Sequence, residues 1–128
     1  MTGPARILVA DDDPASLELI TYALRAEGYE VSNANDGNLA LGMGTTDDFD
    51  LVILDVHMPM YDGVEVLQML RKRHIIHPIK VIALTADNTD ETRDALEASR
   101  IDSFFVKPVD LASLRKEVSR LTAASQAG

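Results

Sequence analysis

Five side chains that can do chemistry each follow a short apolar stretch of the sequence. They are the paired acids Asp11 and Asp12, the acid Asp55, the hydroxyl of Thr85 and the ammonium of Lys107. Runs of large and β-branched residues that end abruptly at a polar group are typical of strands buried on both faces. We therefore expect these five side chains at the carboxyl ends of four different strands.

This set of groups suggests phosphoryl chemistry. Carboxylates held close together repel one another unless a cation shares their site. Oxygen ligands suit a hard divalent ion, and Mg²⁺ needs only one or two carboxylates besides waters and substrate oxygens. A carboxylate beside such an ion can attack phosphorus and hold the phosphoryl group as a mixed anhydride. We predict a Mg²⁺ site with Asp55 as the nucleophile, Lys107 as the neutralising ammonium and Thr85 as a hydroxyl donor to a phosphoryl oxygen.

The elements that must position these groups can be predicted from the apolar pattern. Five strands are expected at residues 6–10, 29–33, 51–54, 79–84 and 102–106, and five helical stretches alternate with them. This alternation is typical of an α/β fold with a parallel sheet covered on both faces. Ligands of such open sheets bind beyond the carboxyl ends of the strands. The topology therefore predicts that the five side chains converge, although they are far apart in the sequence.

Helix boundaries can be predicted at several points. Asp13 followed by Pro14 favours the start of the first helix, and Gly28 favours its end. Asn88, with a glutamate three residues later, resembles a capping box at the start of the fourth helix. Leu96 is the main large apolar residue of that helix. We therefore expect the fourth helix to be only lightly anchored to the sheet.

Composition limits the class of protein. A chain of 128 residues suits one domain, which we place at residues 1–121, with residues 122–128 as a short polar tail or linker stub. The net charge of -9 argues against direct binding of nucleic acid. The absence of cysteine excludes disulfides and thiolate metal sites. No apolar run approaches the roughly 20 residues that cross a bilayer, and no secretory signal is evident, so we expect a cytoplasmic protein without a membrane partner.

The motifs taken together resemble a known family. Over roughly residues 6–121 the chain is similar to the CheY-like receiver domain of two-component response regulators. The matching motifs are Ile7-Leu8-Val9-Ala10-Asp11-Asp12, Asp55-Val56-His57-Met58-Pro59-Met60-Tyr61-Asp62-Gly63, Thr85-Ala86 and Phe104-Phe105-Val106-Lys107-Pro108. The resemblance implies a flavodoxin-like (βα)5 doubly wound sheet with strand order 2-1-3-4-5.

The resemblance also implies partners and a metal. Asp55 would take a phosphoryl group from a histidine kinase or a histidine phosphotransfer protein. Asp12, Asp55 and the backbone carbonyl of His57 would ligate Mg²⁺, while Asp11 would act through a bound water. A receiver of this kind is a signalling module in a phosphorelay and is not itself classed as an enzyme.

A switch is implied as well. Thr85 would move toward the phosphoryl group, which Lys107 also contacts, and the ring of Phe104 would turn inward. The surface formed by the fourth helix, fifth strand and fifth helix would then change and control binding to a downstream effector that the sequence does not identify. Whether a homodimer forms through this surface is left open.

Four positions depart from the family pattern or tune it. Arg100 stands before the fifth strand where the family commonly has Gly, so an unusual turn is expected there. Phe104 lacks the hydroxyl of the commoner Tyr. His57 and Asp87, each two residues beyond a site residue, occupy places where the family tunes the lifetime of the phosphoryl group.

Other functions are weighed against this one. One alternative is that the chain is the receiver fragment of a hybrid histidine kinase or of a multidomain regulator. A Mg²⁺-dependent aspartyl-nucleophile phosphatase needs a second acid two residues after the nucleophile, where this chain has His57, and usually a cap domain. A flavin-binding domain of similar topology needs a Ser/Thr-rich phosphate loop after the first strand, where three acids stand at residues 11–13.

Overall fold

The structure, a computed structural model, describes residues 3–46, 48–57, 63–73, 79–86 and 89–126. Five strands and five helices alternate along the chain, as predicted. The strands are β1 (Arg6–Ala10), β2 (Glu30–Ala34), β3 (Leu51–Asp55), β4 (Lys80–Thr85) and β5 (Ser103–Val106). The helices are α1 (Pro14–Ala26), α2 (Gly37–Thr46), α3 (Gly63–Arg73), α4 (Asp90–Ala98) and α5 (Leu111–Gln126).

All neighbouring strands pair in parallel, in the order β2-β1-β3-β4-β5. This confirms the doubly wound order implied by the resemblance. The chain runs outward from β1 to β2 and then returns past β1 to β3, so the winding direction reverses between β1 and β3. A crevice for ligands lies beyond the carboxyl ends of the strands at such a reversal.

The core consists of two apolar layers, one on each face of the sheet. Side chains alternate between the faces along each strand, so a strand in the middle of the sheet contributes to both layers. One layer packs against α1 and α5 and includes Ile7, Val9, Leu17, Ile20, Leu24, Ile53, Leu114 and Val118. The other packs against α2 and α3 and includes Leu8, Ala40, Val52, Leu54, Val66, Leu67 and Leu70. Every residue of β3 is buried, which fixes the backbone that ends at Asp55.

The predicted boundaries of α1 are confirmed. Asp13 is its N-cap and accepts a hydrogen bond from the amide of Ala15, and Pro14 opens the first turn. Gly28 follows the C-cap with φ 96°, a left-handed conformation that glycine adopts without steric cost.

Two other helix ends differ from the sequence analysis. The N-cap of α4 is Thr89, whose hydroxyl accepts the amide of Thr92 at 3.3 Å, so the assignment of the cap to Asn88 was wrong by one residue. Asn88 itself lies outside the described residues. Helix α5 continues to Gln126, five residues past the boundary expected at Leu121. The hydroxyl of Thr122 donates to the carbonyl of Val118 at 2.8 Å, and Thr122 is buried, so the chain after Leu121 begins as packed helix.

The light anchoring expected of α4 is confirmed, because Leu96 is its one buried residue. The unusual turn expected at Arg100 is also present, with φ 62°. Arg71 of α3 donates hydrogen bonds to the carbonyls of Ile79 and Arg100 and lies 3.8 Å from the carboxylate of Asp102. This single guanidinium therefore joins the end of α3 to the start of β4 and to the left-handed turn. Within the described ranges, no helix is long and apolar enough to cross a membrane.

Candidate functional site

Two buried carboxylates meet at the crevice between β1 and β3. The register pairs Ala10 with Leu54, so Asp11 and Asp55 stand at the same height where the two strands end. Asp11 has no solvent exposure and Asp55 is 4% exposed. Buried acids are rare and costly unless they are paired, so their presence at this edge requires compensating groups.

The ammonium of Lys107 supplies much of that compensation. Its Nζ lies 3.0 Å from Oδ2 of Asp55 and 2.9 and 3.0 Å from the two carboxylate oxygens of Asp11. Strand β5 delivers this side chain, and the amide of Lys107 donates to the carbonyl of Thr85 at 2.8 Å. The peptide bond between Lys107 and Pro108 is cis. One cation thus bridges two acids from different strands.

Backbone amides fix the orientation of both acids. The amide of Asp13 donates to Oδ1 of Asp11 at 2.9 Å, and the amide of His57 donates to Oδ1 of Asp55 at 3.0 Å. Each carboxylate therefore accepts one bond from the loop directly after it and one from Lys107. The backbone amide of His57 therefore holds Oδ1 of Asp55 in place without relying on a side chain.

The electrostatics distinguish the two acids. Burial raises the pKa of Asp55 to about 6, although the His57 amide and Lys107 oppose the shift and neighbouring Asp11 adds to it. Burial also acts on Asp11, but hydrogen bonds from Lys107 and from the Asp13 amide outweigh it and lower the pKa of that carboxyl. Desolvation of Lys107 is outweighed by the two acids, which raise the pKa of its ammonium. Near neutral pH Asp11 and Asp55 are therefore mainly ionised and Lys107 is protonated, so these three side chains together carry a net negative charge.

A third acid extends the site toward solvent. One oxygen from each of Asp11, Asp12 and Asp55 lies within 4.8 Å of the others, and Asp12 is exposed. Oδ2 of Asp11 is buried and, despite its closeness to Lys107, makes no well-aligned hydrogen bond with any described residue. A cluster of carboxylate oxygens with spare acceptor capacity fits a hard divalent cation such as Mg²⁺.

Comparison with known proteins agrees with this geometry. A family model described as the response regulator receiver domain matches residues 7–119. The chain belongs to this family. Response regulator PleD of Caulobacter vibrioides is 41% identical over 119 residues, which cover 92% of this chain and 26% of PleD. Transcriptional regulatory protein PrrA of Mycobacterium tuberculosis is 38% identical over 121 residues, which cover 94% of this chain and 51% of PrrA. The receiver described here thus spans between a quarter and a half of these relatives.

Solved structures of receivers superpose closely. A CheY-like receiver domain protein from Methanospirillum hungatei has a TM-score of 0.89 at 28% identity, covering 98% of this chain and 100% of that chain. Response regulator protein TrrA from Thermotoga maritima, solved in complex with Mg(2+)-BeF, has a TM-score of 0.79 at 38% identity, covering 91% of this chain and 98% of that chain. A receiver similar to this one thus binds magnesium together with a beryllium fluoride.

The remaining predicted site residues of the receiver lie at different distances from the acids. Thr85 is buried at the end of β4, directly beside the strand that carries Asp55. His57 presents its amide to Asp55 while its side chain faces solvent. Phe104 is not at the acids. Its half-buried ring packs beneath α4, where the guanidinium carbon of Arg93 lies 5.4 Å from the ring centroid. Residues 58–62 and Asp87 lie outside the described residues.

Two supporting residues were missed as such in the sequence. Gly63, named there only as the last residue of a matching motif, donates its amide to the carbonyl of Val56 at 2.7 Å. A Cβ at this position would lie 2.3 Å from Cα of Val56 and 2.9 Å from the carbonyl oxygen of Asp55, so only glycine lets α3 start this close to the acid. The Asp-Gly pair that ends this motif is typical of a turn but does not indicate this close approach. Arg93 gave no signal, because its contact with Phe104 depends on where α4 lies.

Proposed function

We propose that this receiver accepts a phosphoryl group on Asp55 from a phosphohistidine of a histidine kinase or a histidine phosphotransfer protein. The observation that carries the proposal is the position of Lys107, whose ammonium bridges buried Asp55 and Asp11 at 2.9 to 3.0 Å. A purely structural ion pair needs one acid. A second buried acid is not needed for such a pair, and its additional negative charge prepares the site for a cation.

The chemistry is a transfer between two nucleophiles. An oxygen of Asp55 attacks phosphorus, the bond from phosphorus to the imidazole nitrogen breaks, and the nitrogen keeps the electron pair. The product is an acyl phosphate on Asp55. The ammonium of Lys107, already within 3.0 Å of Oδ2 of Asp55, faces the negative charge on the phosphoryl oxygens. The hydroxyl of Thr85, at the end of the adjacent strand, is the proposed donor to one of those oxygens.

Asp12 and Asp55, with the backbone carbonyl of His57 and with Asp11 through a water, are the proposed ligands of Mg²⁺. The ion supplies charge neutralisation at the phosphoryl oxygens when bound. The carboxylate cluster and the spare acceptor capacity of Asp11 Oδ2 support this choice. The complex of TrrA with Mg(2+)-BeF supports it from a relative.

The outcome of phosphorylation is a change in partner binding. We propose that the surface of α4, β5 and α5 changes and thereby controls a downstream effector, either in a separate protein or in a longer chain. Relatives in which the matched region is only part of the length support the second setting. The net charge of -9 favours a protein partner over direct contact with nucleic acid.

Intact-mass spectrometry tests the acceptor. The protein is incubated with Mg²⁺ and the small-molecule donor acetyl phosphate, beside Asp55→Asn and Asp12→Asn variants. The wild type should gain one phosphoryl group that hydroxylamine removes, because an acyl phosphate is labile to that nucleophile. Asp55→Asn should gain none, and Asp12→Asn should gain it at least about tenfold more slowly because it lacks a ligand of the ion.

Folding and metal binding must be established for each variant, so that loss of labelling reports on chemistry. Circular dichroism checks the fold, and isothermal titration with Mg²⁺ checks the metal. A labelled Asp55→Asn protein would contradict the assignment of the acceptor. An unlabelled wild type that binds Mg²⁺, and that a panel of phosphorylated histidine phosphotransfer proteins also fails to label, would overturn the proposed function.

A further inference from the structure

Helix α4 rests on the sheet through a small apolar cluster that touches both sides of the site. Leu96 packs against Val56, the residue after Asp55, and against Ala83, two residues before Thr85. Partly buried side chains complete the cluster, namely Val64, Ile101 and Phe104. A change at the end of β3 or of β4 therefore reaches α4 directly, through side chains in contact with Leu96.

A polar contact adds to this cluster at its outer edge. Arg93 stands three residues before Leu96 and so lies on the same face of α4. Its guanidinium carbon is 5.4 Å from the centroid of the Phe104 ring, within the range of a cation–π interaction. Arg93 is exposed and Phe104 is half-buried. The contact therefore joins Phe104 of β5 to the exposed side of α4.

The position of the guanidinium limits where the ring can go. Arg93 is exposed, so a ring that moved deeper toward β4 would move away from its guanidinium. A contact that exists in only one of two states shifts the equilibrium toward that state. It lowers the affinity of a ligand that binds the other state by up to the same factor. Burial of the ring and the cation–π contact are thus alternatives.

We infer that Arg93 is a positioning residue that restrains Phe104 and α4 in the unphosphorylated receiver and so sets how readily the receiver responds. The inference rests on the proposed function, which supplies the event that the restraint opposes. An exposed cation–π contact changes an equilibrium by about two- to fivefold. Removing it should make the receiver respond more readily, while the protein becomes slightly less stable.

Affinity for beryllofluoride in the presence of Mg²⁺ measures this effect, because the complex mimics an acyl phosphate on a carboxylate. Arg93→Met keeps an unbranched side chain of similar volume to the arginine stem and removes its charge. It should bind beryllofluoride about two- to fivefold more tightly than the wild type. Arg93→Lys keeps a cation over the ring and should lie close to the wild type. A merely structural role predicts no gain, since a less stable domain that is still folded binds the mimic no more tightly than the wild type.

Two controls isolate the contact. Arg115→Met removes another exposed arginine, whose guanidinium lies 3.7 Å from Glu27, and should leave the affinity unchanged. Loss of a positive charge near the site would weaken binding of an anion rather than strengthen it, so it cannot imitate the expected gain. In a Phe104→Leu background, Arg93→Met should have no further effect, because the ring that it contacts is absent.

The outcomes distinguish a failure of the role of Arg93 from a failure of the proposed function. A wild type that binds beryllofluoride, together with an Arg93→Met variant that binds it equally or less tightly, would overturn the role of Arg93 alone. An equal gain in the Phe104→Leu background would also overturn it, since the effect would not pass through the ring. A wild type that binds Mg²⁺ but no beryllofluoride would overturn the proposed function and this inference with it.

Discussion

Strands β3 and β4 differ sharply from helix α4 in how they are held. All five residues of β3 and five of the six residues of β4 are buried, with apolar layers on both faces. Helix α4 buries one side chain, Leu96. The number of buried apolar contacts sets how easily a segment opens. The receiver therefore places Asp55 at the end of a rigid strand and lays a lightly anchored helix beside it.

The comparison explains why one domain can both receive and report a signal. Phosphoryl transfer requires an acid that stays where the amide of His57 and the ammonium of Lys107 meet it. Reporting requires an element that a small change in contact energy can move, and α4, which buries one side chain, is the proposed element. Val56 and Ala83 belong to the rigid strands or adjoin them, yet they pack against Leu96, so the two regions share one cluster.

Cavities in the two regions should have different consequences. Leu54→Ala, on β3, should lower the free energy of unfolding by about 3–5 kcal/mol, because the rigid layer cannot collapse around the gap. Leu96→Ala should cost about 2–3 kcal/mol, mostly through local release of α4. Native-state hydrogen exchange distinguishes them. Leu54→Ala should lower protection in every element, while Leu96→Ala should lower it most in α4. An equal loss of protection in every element of Leu96→Ala would contradict the difference in anchoring between β3 and α4.

The second prediction concerns the rigid side of the site. Gly63→Ala should lower the free energy of unfolding by about 2–3 kcal/mol, because its Cβ would meet backbone atoms that cannot rotate away. It should also slow labelling of Asp55, whose carbonyl oxygen lies 2.9 Å from that Cβ. Gly42→Ala in α2 is the matched control. A Cβ there meets nothing within 4 Å, so the variant should be neutral or stabilised by up to about 1 kcal/mol. Chemical denaturation measures both, and an unaffected Gly63→Ala would contradict the close approach.

The third prediction concerns the stability that the protein loses by burying the carboxylate of Asp55 at the end of β3. The folded protein holds the proton of Asp55 up to a pH of about 6, whereas the unfolded chain releases it near the ordinary pKa of 3.8. The folded state therefore binds more protons between these values, and stability falls as the pH rises through them. With Mg²⁺ chelated, Asp55→Asn should raise the free energy of unfolding by about 1–3 kcal/mol near neutral pH.

This gain should shrink as the pH falls below about 6 and be lost near the ordinary pKa. Thermal melts across that range in the presence of a chelator measure it. Added Mg²⁺ should reduce the difference at neutral pH, because the ion stabilises the wild type more than the variant. A gain that does not depend on pH would show that repulsion and burial of the Asp55 carboxylate are not its cause.

The smallest expected effect lies in the turn that connects α4 to β5. Arg100 adopts φ 62°, a left-handed conformation that costs an ordinary residue about 1–2 kcal/mol and costs glycine little. The greater freedom of glycine in the unfolded chain offsets part of this advantage. Arg100→Gly should stabilise the protein by about 0.5–1 kcal/mol. The carbonyl that Arg71 contacts is retained. Ser99→Gly, at φ -89°, should instead destabilise by a similar amount. Equal signs for the two variants would argue against strain at Arg100.

Much of the site could be predicted because strand ends are visible in the sequence. An apolar run that stops at an acid locates the carboxyl end of a strand, and a parallel sheet brings such ends together. This brought Asp11, Asp55 and Lys107 to one place, as the structure has them. The weak anchoring of α4 was equally visible, since a helix with one large apolar residue has little to bury.

What could not be predicted depends on how elements lie against one another. Neighbouring polar residues at 88 and 89 can both cap a helix, and only the backbone path selects Thr89. Residues 122–126 are small and polar, yet they favour helix enough to continue α5 once Thr122 packs. The contact between Arg93 and Phe104 requires the position of α4 over β5, which no spacing in the sequence specifies.

The central proposal is that a phosphoryl group on Asp55, at the end of a rigid strand, changes the conformation of α4 and β5. Backbone amide chemical shifts of the Mg²⁺-bound protein, recorded with and without beryllofluoride, test it most directly. Beyond the loops that contact the ligand, the largest shifts should fall in α4 and β5, with β2 and α2 nearly unchanged. Shifts confined to the residues around Asp55, with α4 unaffected in a protein that has bound the ligand, would contradict the account.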